Sequence, residues 1–163
     1  LGHITDTGLN YINAPAAARE RGIEVAQART ESSGGYSHWL EVTLHSERAD
    51  TSVAGALFEN AHGRIVRVND YRLELVPRQT LLLLWNADPK TPGFVGQIGA
   101  LLGEAGINIT GIQVASNEVD GVGLMAATVA ASIPAEVIEQ MRDLPGVVRV
   151  ETADMETQNS TAE

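Results

Sequence analysis

The chain has 163 residues, a formal net charge of −10 and no cysteine. That length admits one ordinary domain or two small ones, and the missing thiols exclude disulfides, Cys-ligated zinc and a cysteine nucleophile within the chain. The charge is uneven, with eight arginines against ten acids in residues 1–78 and three basic residues against eleven acids in residues 79–163, so the second half is unsuited to a nucleic-acid backbone, which requires basic surface.

Apolar residues make up 44% of the chain, yet only seven residues are aromatic, so a core must be built from Val, Leu, Ile and Ala. No apolar run approaches the ~18 residues of a membrane span, and no signal-peptide pattern opens the chain. The first residue is leucine. These features are expected of a cytoplasmic chain cut from a longer one.

Gly8 to Tyr11 precede Asn13, which reads as an N-cap, with Pro15 in the first turn of a short alanine-rich helix that Gly22 closes. Ile23 to Ala28 alternates as a strand. Glu31 to Gly35 is a polar turn, and His38 to His45 alternates again with Leu40, Val42 and Leu44 on one face. Val53 to Phe58 is a further strand and Asn60 to Gly63 a turn. Arg64 to Val68 and Tyr71 to Val76 then form two strands joined by a tight hairpin at Asn69-Asp70. One helix with about five strands is a poor count for an independent α+β domain, so part of it is expected upstream. Arg64, Arg67 and Arg72 cluster around the hairpin. Guanidinium groups match phosphate or carboxylate oxygens, but the same residues suit a solvated strand face with Glu59, Asp70 and Glu74 nearby.

Pro77 to Gln79 reads as a linker. Leu81 to Leu84 is a strand, and it delivers Asn86, Ala87 and Asp88 just past its end. Thr91 is the expected N-cap and Pro92 the first residue of a helix, since proline's missing N–H has no helical partner there. Phe94, Val95, Ile98, Leu101, Leu102 and Ala105 supply one buried stripe. Gly106 ends the helix in a left-handed cap, and Ile107, Asn108 and Ile109 begin the next strand. Polar groups around a helix N-terminus, whose first N–H groups favour an anion, outline a small-ligand site. Gly96, Gly99 and Gly103 form one row beside the apolar stripe. Each costs about 0.8–1 kcal/mol against alanine, which implies close approach of a ligand or subunit, or tight packing within the chain.

Glu118 to Gly121 is a turn and Gly123 to Val129 a return strand. Pro134 opens a second helix with Val137, Ile138, Met141 and Leu144 at helical spacing, and Pro145-Gly146 stops it before a last strand over Val147 to Val150. The order is βαββαβ, an antiparallel sheet with both helices on one face. From Glu156 the chain is polar and expected to be disordered. Gly121 to Ala126 matches the letters of a dinucleotide fingerprint but opens a strand rather than a helix, so it reads as a hairpin. His3, His38, His45 and His62 lack metal-site spacing, and the sheet lacks the aromatics and positive charge of an RNA platform.

Residues 80 to about 153 resemble an ACT domain, the amino-acid-sensing βαββαβ module. The likeness is carried by Asn86-Ala87-Asp88, Pro92-Gly93, Gly96, Ile98-Gly99, Leu102, Gly106-Ile107-Asn108-Ile109 and Leu144-Pro145-Gly146-Val147. Residues 10–76 resemble the second part of an allosteric substrate-binding (ASB) domain. There the carrying residues are Asn10 to Pro15, Glu20-Arg21-Gly22, Ser52 to Phe58 and Arg64-Ile65-Val66. In this order the two are similar to the C-terminal regulatory end of bacterial D-3-phosphoglycerate dehydrogenases. The same pair also occurs in iron–sulfur L-serine dehydratases.

The resemblance implies an α+β chain with a partial ASB domain over 1–78, a ferredoxin-like ACT domain over 79–155 and a tail over 156–163. It implies no catalytic residue, metal ligand or cofactor site here, the NAD-dependent chemistry belonging to upstream catalytic domains of the parent. It implies feedback inhibition by L-serine at paired ACT domains, with Asn86, Asp88 and Asn108 on the family's serine-binding positions. Asp88 would take the ammonium and the N–H groups near Gly93 and Phe94 the carboxylate. Arg64 and Arg72 fall on or beside basic positions thought to hold an anion. The family usually has one residue between the Asp and the Pro-Gly pair, whereas Pro89, Lys90 and Thr91 intervene here, which either moves Asp88 from the pocket or brings Lys90 into it. The rival readings are a serine dehydratase's regulatory part and an ACT module that only holds an oligomer together.

Overall fold

The computed structural model describes residues 13–28, 36, 38–47, 49–58, 62–117 and 121–155. The expectations for 8–11, for the turns at 31–35, 60–61 and 118–120, and for the tail from 156 lie outside those residues. Two compact units divide the chain at Ser33 and Gly34.

The first unit contains helix α1 (Ala14–Glu20), with Asn13 at its N-cap position and Pro15 in its first turn. Gly22 turns left-handed at φ 70° directly after it, which a residue without Cβ tolerates. The alternation over 23–28 does not become a strand. Period-2 patterning supplies a face but not the neighbour with which a ladder must form.

In the second unit, β1 (Trp39–Leu44), β2 (Thr51–Leu57), β3 (Gly63–Val68) and β4 (Tyr71–Leu75) make an antiparallel sheet in sequential order. The Asn69-Asp70 turn joins Val68 to Tyr71 in register, with Asn69 at φ 48°. A second sheet contains β5 (Thr80–Asn86), β6 (Ile109–Ser116), β7 (Gly123–Val129) and β8 (Val147–Asp154) in the order β6-β7-β5-β8, every pair antiparallel. With α2 (Phe94–Glu104) and α3 (Ala135–Arg142) between the strands, this is the βαββαβ pattern of a ferredoxin-like fold. The last strand runs four residues beyond the expected Val150, because β5 offers it a ladder as far as Thr80 opposite Asp154.

Alternation decides which side each residue takes. Leu82, Leu84, Met125, Ala127 and Val150 face the helices, where they pack with Phe94, Ile98, Leu102, Val137 and Met141. Leu81, Trp85, Leu124 and Ala126 point the other way and share a core with Ile65, Val68, Tyr71, Leu73 and Leu75 of the first sheet. The central strands β5 and β7 are therefore buried on both faces, which is why they read as nearly unbroken apolar runs. Each large side chain taken fully from water, such as Ile98 or Met141, contributes about 1.5–3 kcal/mol.

Helix α2 begins later than the sequence suggests. Its N-cap is Gly93 in the left-handed region at φ 84°, with Phe94 as the first helical residue. Thr91 is not the cap: the helix starts only after the left-handed Gly93, and the Thr91 hydroxyl donates to Asp88 Oδ2 at 2.7 Å. The C-terminus is as expected. Gly106 N–H donates to Gly103 O and Ile107 N–H to Leu102 O, at 3.0 and 2.8 Å, the paired bonds of a glycine-capped helix end. Among the described residues no neighbour lies within 4 Å of a Cβ added at Gly96, Gly99 or Gly103, so tight packing against those residues does not explain that row.

Candidate functional site

Strand β5 ends at Asn86, which is buried. Its side-chain Oδ1 accepts the Asp88 N–H at 2.9 Å and lies where a Cβ on Gly146 would collide with it, 2.7 Å away. Only a glycine after α3 leaves that side chain room. The chain then folds over on itself. Asp88 Oδ1 accepts the Lys90 N–H at 3.1 Å, Asp88 Oδ2 accepts the Thr91 hydroxyl, and Pro89 packs onto Gly123 at the start of β7.

Between this loop, the first turn of α2 and the ends of the strands lies a cavity of about 140 Å³. Asn86, Pro89 and Thr91 bound it on one side, Gly93 to Gly96 on another, and Val114 with Gly123 to Met125 form its base. Gln97 is the first helix residue whose N–H reaches back into the turn, to Gly93 O at 3.0 Å. The N–H groups of Phe94, Val95 and Gly96 precede it and have no intrahelical acceptor. Val114 belongs to β6, one of the two edge strands of this sheet. Ile112 and Val114 point to the helix side there and remain exposed.

Of the residues expected at an amino-acid site, Asn86, Gly93 and Phe94 line the cavity. Asp88 is exposed, and its carboxylate is engaged by its own loop. Lys90 is exposed and does not line the cavity; Pro89 and Thr91 do. Asn108 is at the wrong end to join them within one chain. Ile109 pairs with Val129 and Ser116 with Gly123, so Asn108 lies at the C-terminal end of α2 while the cavity lies at its N-terminal end. Val114 and Met125 escaped sequence reading because nothing local distinguishes an apolar residue in a cavity wall from one in a core.

The arginines lie on the face of the first sheet away from the shared core. Arg64 is ion-paired with Glu74, and its Cζ is 4.8 Å from the Phe58 ring centroid. Arg67 is ion-paired with Glu41, with its Cζ 5.4 Å from the Trp39 centroid. Arg72 is exposed and stands in register with Arg67. The Nε–H groups of Arg64 and Arg67 are withdrawn from water without an acceptor among the described residues. No group of three or more His, Cys, Asp or Glu able to hold a metal occurs among the described residues. No helix among them is long and apolar enough to cross a membrane.

Residues 1–69 match the family described as the D-3-phosphoglycerate dehydrogenase intervening domain, and residues 91–146 match the ACT domain. The D-3-phosphoglycerate dehydrogenase of Methanocaldococcus jannaschii is 31% identical over 147 residues, covering 90% of this chain and 27% of that protein. That of Bacillus subtilis is 27% identical over 150 residues, covering 92% and 28%. That of Synechocystis sp. is 31% identical over 139 residues, covering 85% and 25%. The chain thus spans about a quarter of the length of these relatives.

Proposed function

This chain joins a D-3-phosphoglycerate dehydrogenase intervening domain to an ACT domain, and from that premise we propose that it is the amino-acid-sensing regulatory region of such an enzyme. The ligand implied by the family is L-serine, acting as a feedback inhibitor. NAD binding and oxidation of 3-phosphoglycerate belong on this reading to other domains of the parent. The relatives named above are dehydrogenases, so the dehydratase reading is not carried forward.

The observation that carries the proposal is the cavity at the first turn of α2, with Val114 of the edge strand β6 in its wall. A ligand carboxylate there meets the amides of Phe94, Val95 and Gly96, at the positive end of the helix. Its ammonium requires a carboxylate, and Asp88 supplies one by releasing its bonds to Lys90 and Thr91. Pairing of β6 with β6 of a second copy covers an edge that would otherwise attract other strands. It also resolves the position of Asn108. In an antiparallel pairing about the middle of β6, Asn108 of the second copy comes beside Ser116 and Val114, at the mouth of this copy's cavity. A ligand bound between copies then favours one quaternary state by its differential affinity, typically about 1–3 kcal/mol.

Calorimetric titration of L-serine into the chain tests this, with Asp88→Ala and Asn108→Ala as controls. Binding lost or weakened in both variants is expected; binding unchanged in both sinks the site. The engagement of Asp88 by its own loop favours one second reading, an ACT module that only assembles subunits. Sizing with and without serine separates the two, since assembly without any heat of binding supports that rival. In the first sheet, Arg64 and Arg72 are proposed to hold a phosphate or carboxylate anion, which competes with Glu74 for Arg64.

A further inference from the structure

Just past the buried Asn86 the chain closes a turn on itself. Asp88 O accepts the Thr91 N–H at 3.2 Å, and aspartate in the first position with proline in the second favours such a turn. Asp88 Oδ1 accepts the Lys90 N–H at 3.1 Å, the bond that an aspartate side chain makes to the backbone two residues on. Asp88 Oδ2 accepts the Thr91 hydroxyl at 2.7 Å. Pro89, between them, packs against Gly123 and anchors the turn. Both carboxylate oxygens are thus engaged. Pro89 and Thr91 line the cavity at the start of α2, whereas Asp88 does not. The acid that a ligand's ammonium needs is held out of the site by a residue of the site's own wall.

We propose that Thr91 is a positioning residue that sets the threshold of this site: its hydroxyl competes with the ammonium of an α-amino acid for the Asp88 carboxylate. The inference rests on the sensor reading above and adds how the affinity of that site is set. A protein whose binding-competent form is only fractionally populated shows an affinity reduced by that fraction, and here the closed turn is the incompetent form. The Lys90 N–H belongs to the backbone, so the Thr91 hydroxyl is the part of the latch that a side-chain change can remove. Losing one hydrogen bond of ordinary net strength raises the open fraction by about two- to tenfold. With the latch in place, the site responds only at amino-acid concentrations higher by that factor than a freed Asp88 would require.

The test is calorimetric titration of L-serine into the full chain and into its Thr91→Val, Thr91→Ser, Asp88→Ala and Asp88→Ala/Thr91→Val variants. Thr91 is exposed and precedes α2, so valine keeps the shape of the side chain there and removes only its donor. Thr91→Val should bind L-serine about two- to tenfold more tightly than the unsubstituted chain. Thr91→Ser, which restores the hydroxyl, should return to the unsubstituted affinity. In the Asp88→Ala background Thr91→Val should bring no gain, because the group it frees is absent. Binding by the unsubstituted chain that is unchanged or weakened in Thr91→Val overturns the inference while leaving the sensor reading intact; weakening would mean that the hydroxyl serves the ligand directly. A gain in Thr91→Ser equal to that in Thr91→Val overturns it too, as does a gain that persists without Asp88. Silence in all five chains removes the sensor reading, and this inference with it.

Discussion

Replacing Gly123 by alanine tests the cavity wall directly. Gly123 opens β7 between Asn86 and Ser116 and is buried. An added Cβ would stand 2.5 Å from Pro89 Cβ and 3.3 Å from Pro89 Cα. Carbon atoms rest at about 3.5–4.0 Å, so Pro89 must retreat by about 1 Å. Ring and backbone atoms cannot yield by changing rotamer. The 87–91 loop must therefore move, and with it the bonds that Asp88 makes to Lys90 and Thr91. Overpacking of this kind costs about 1–3 kcal/mol, against which alanine gains about 0.4–1 kcal/mol by restricting the unfolded chain. A net loss of about 1–2 kcal/mol is expected by urea unfolding. Pro89→Gly removes the colliding ring atoms, so in the double variant part of the loss should be recovered, a coupling of at least about 0.5 kcal/mol. A fully stable Gly123→Ala chain with no coupling to Pro89 would refute the packing of the loop on β7, and the shape of the cavity with it.

Other outcomes follow from the same structure. Met141→Ala, at a fully buried position between α3 and the second sheet, should lower stability by about 2–5 kcal/mol; a urea midpoint close to that of the unsubstituted chain would contradict this core. Gly106 and Gly146 both have positive φ, but only at Gly146 does an added Cβ meet an atom, Asn86 Oδ1 at 2.7 Å. Gly106→Ala should cost about 1–2 kcal/mol for its left-handed backbone, and Gly146→Ala measurably more by the same unfolding assay. The Arg64–Glu74 pair is partly exposed, so Glu74→Ala should change stability by less than about 1 kcal/mol. If Arg64 takes an anion, phosphate titration should show tighter binding in Glu74→Ala, because the intramolecular competitor is gone; weaker binding would count against the anion site.

The second sheet was legible because each of its signals is local. Helical spacing from Phe94 to Leu102, glycine at 106 and 146, and proline at 134 set element type and ends without reference to the rest of the chain. The Asn69-Asp70 hairpin and the β1 alternation were readable for the same reason. The run over 23–28 was misread, since alternation states that a strand could form but not that a partner is present. Thr91 was misread as a cap because the helix starts only after the left-handed turn at Gly93, and where a loop hands over to a helix depends on how the loop folds.

The site shows the same division. By itself the sequence determined that polar groups meet a helix start, since Asn86 and Gly93 are only a few residues apart and joined by a loop. Only the tertiary structure decided that Val114 and Met125 complete the wall and that Asn108 lies at the far end of β6. Likewise, only the tertiary structure decided that the two sheets share a core through Tyr71, Leu75, Leu81 and Leu124. Periodicity records which face of an element is apolar, because that follows from backbone geometry alone. What covers that face, and which atoms a carboxylate finally bonds, depend on residues distant in the chain, and these become neighbours only when the strands pair.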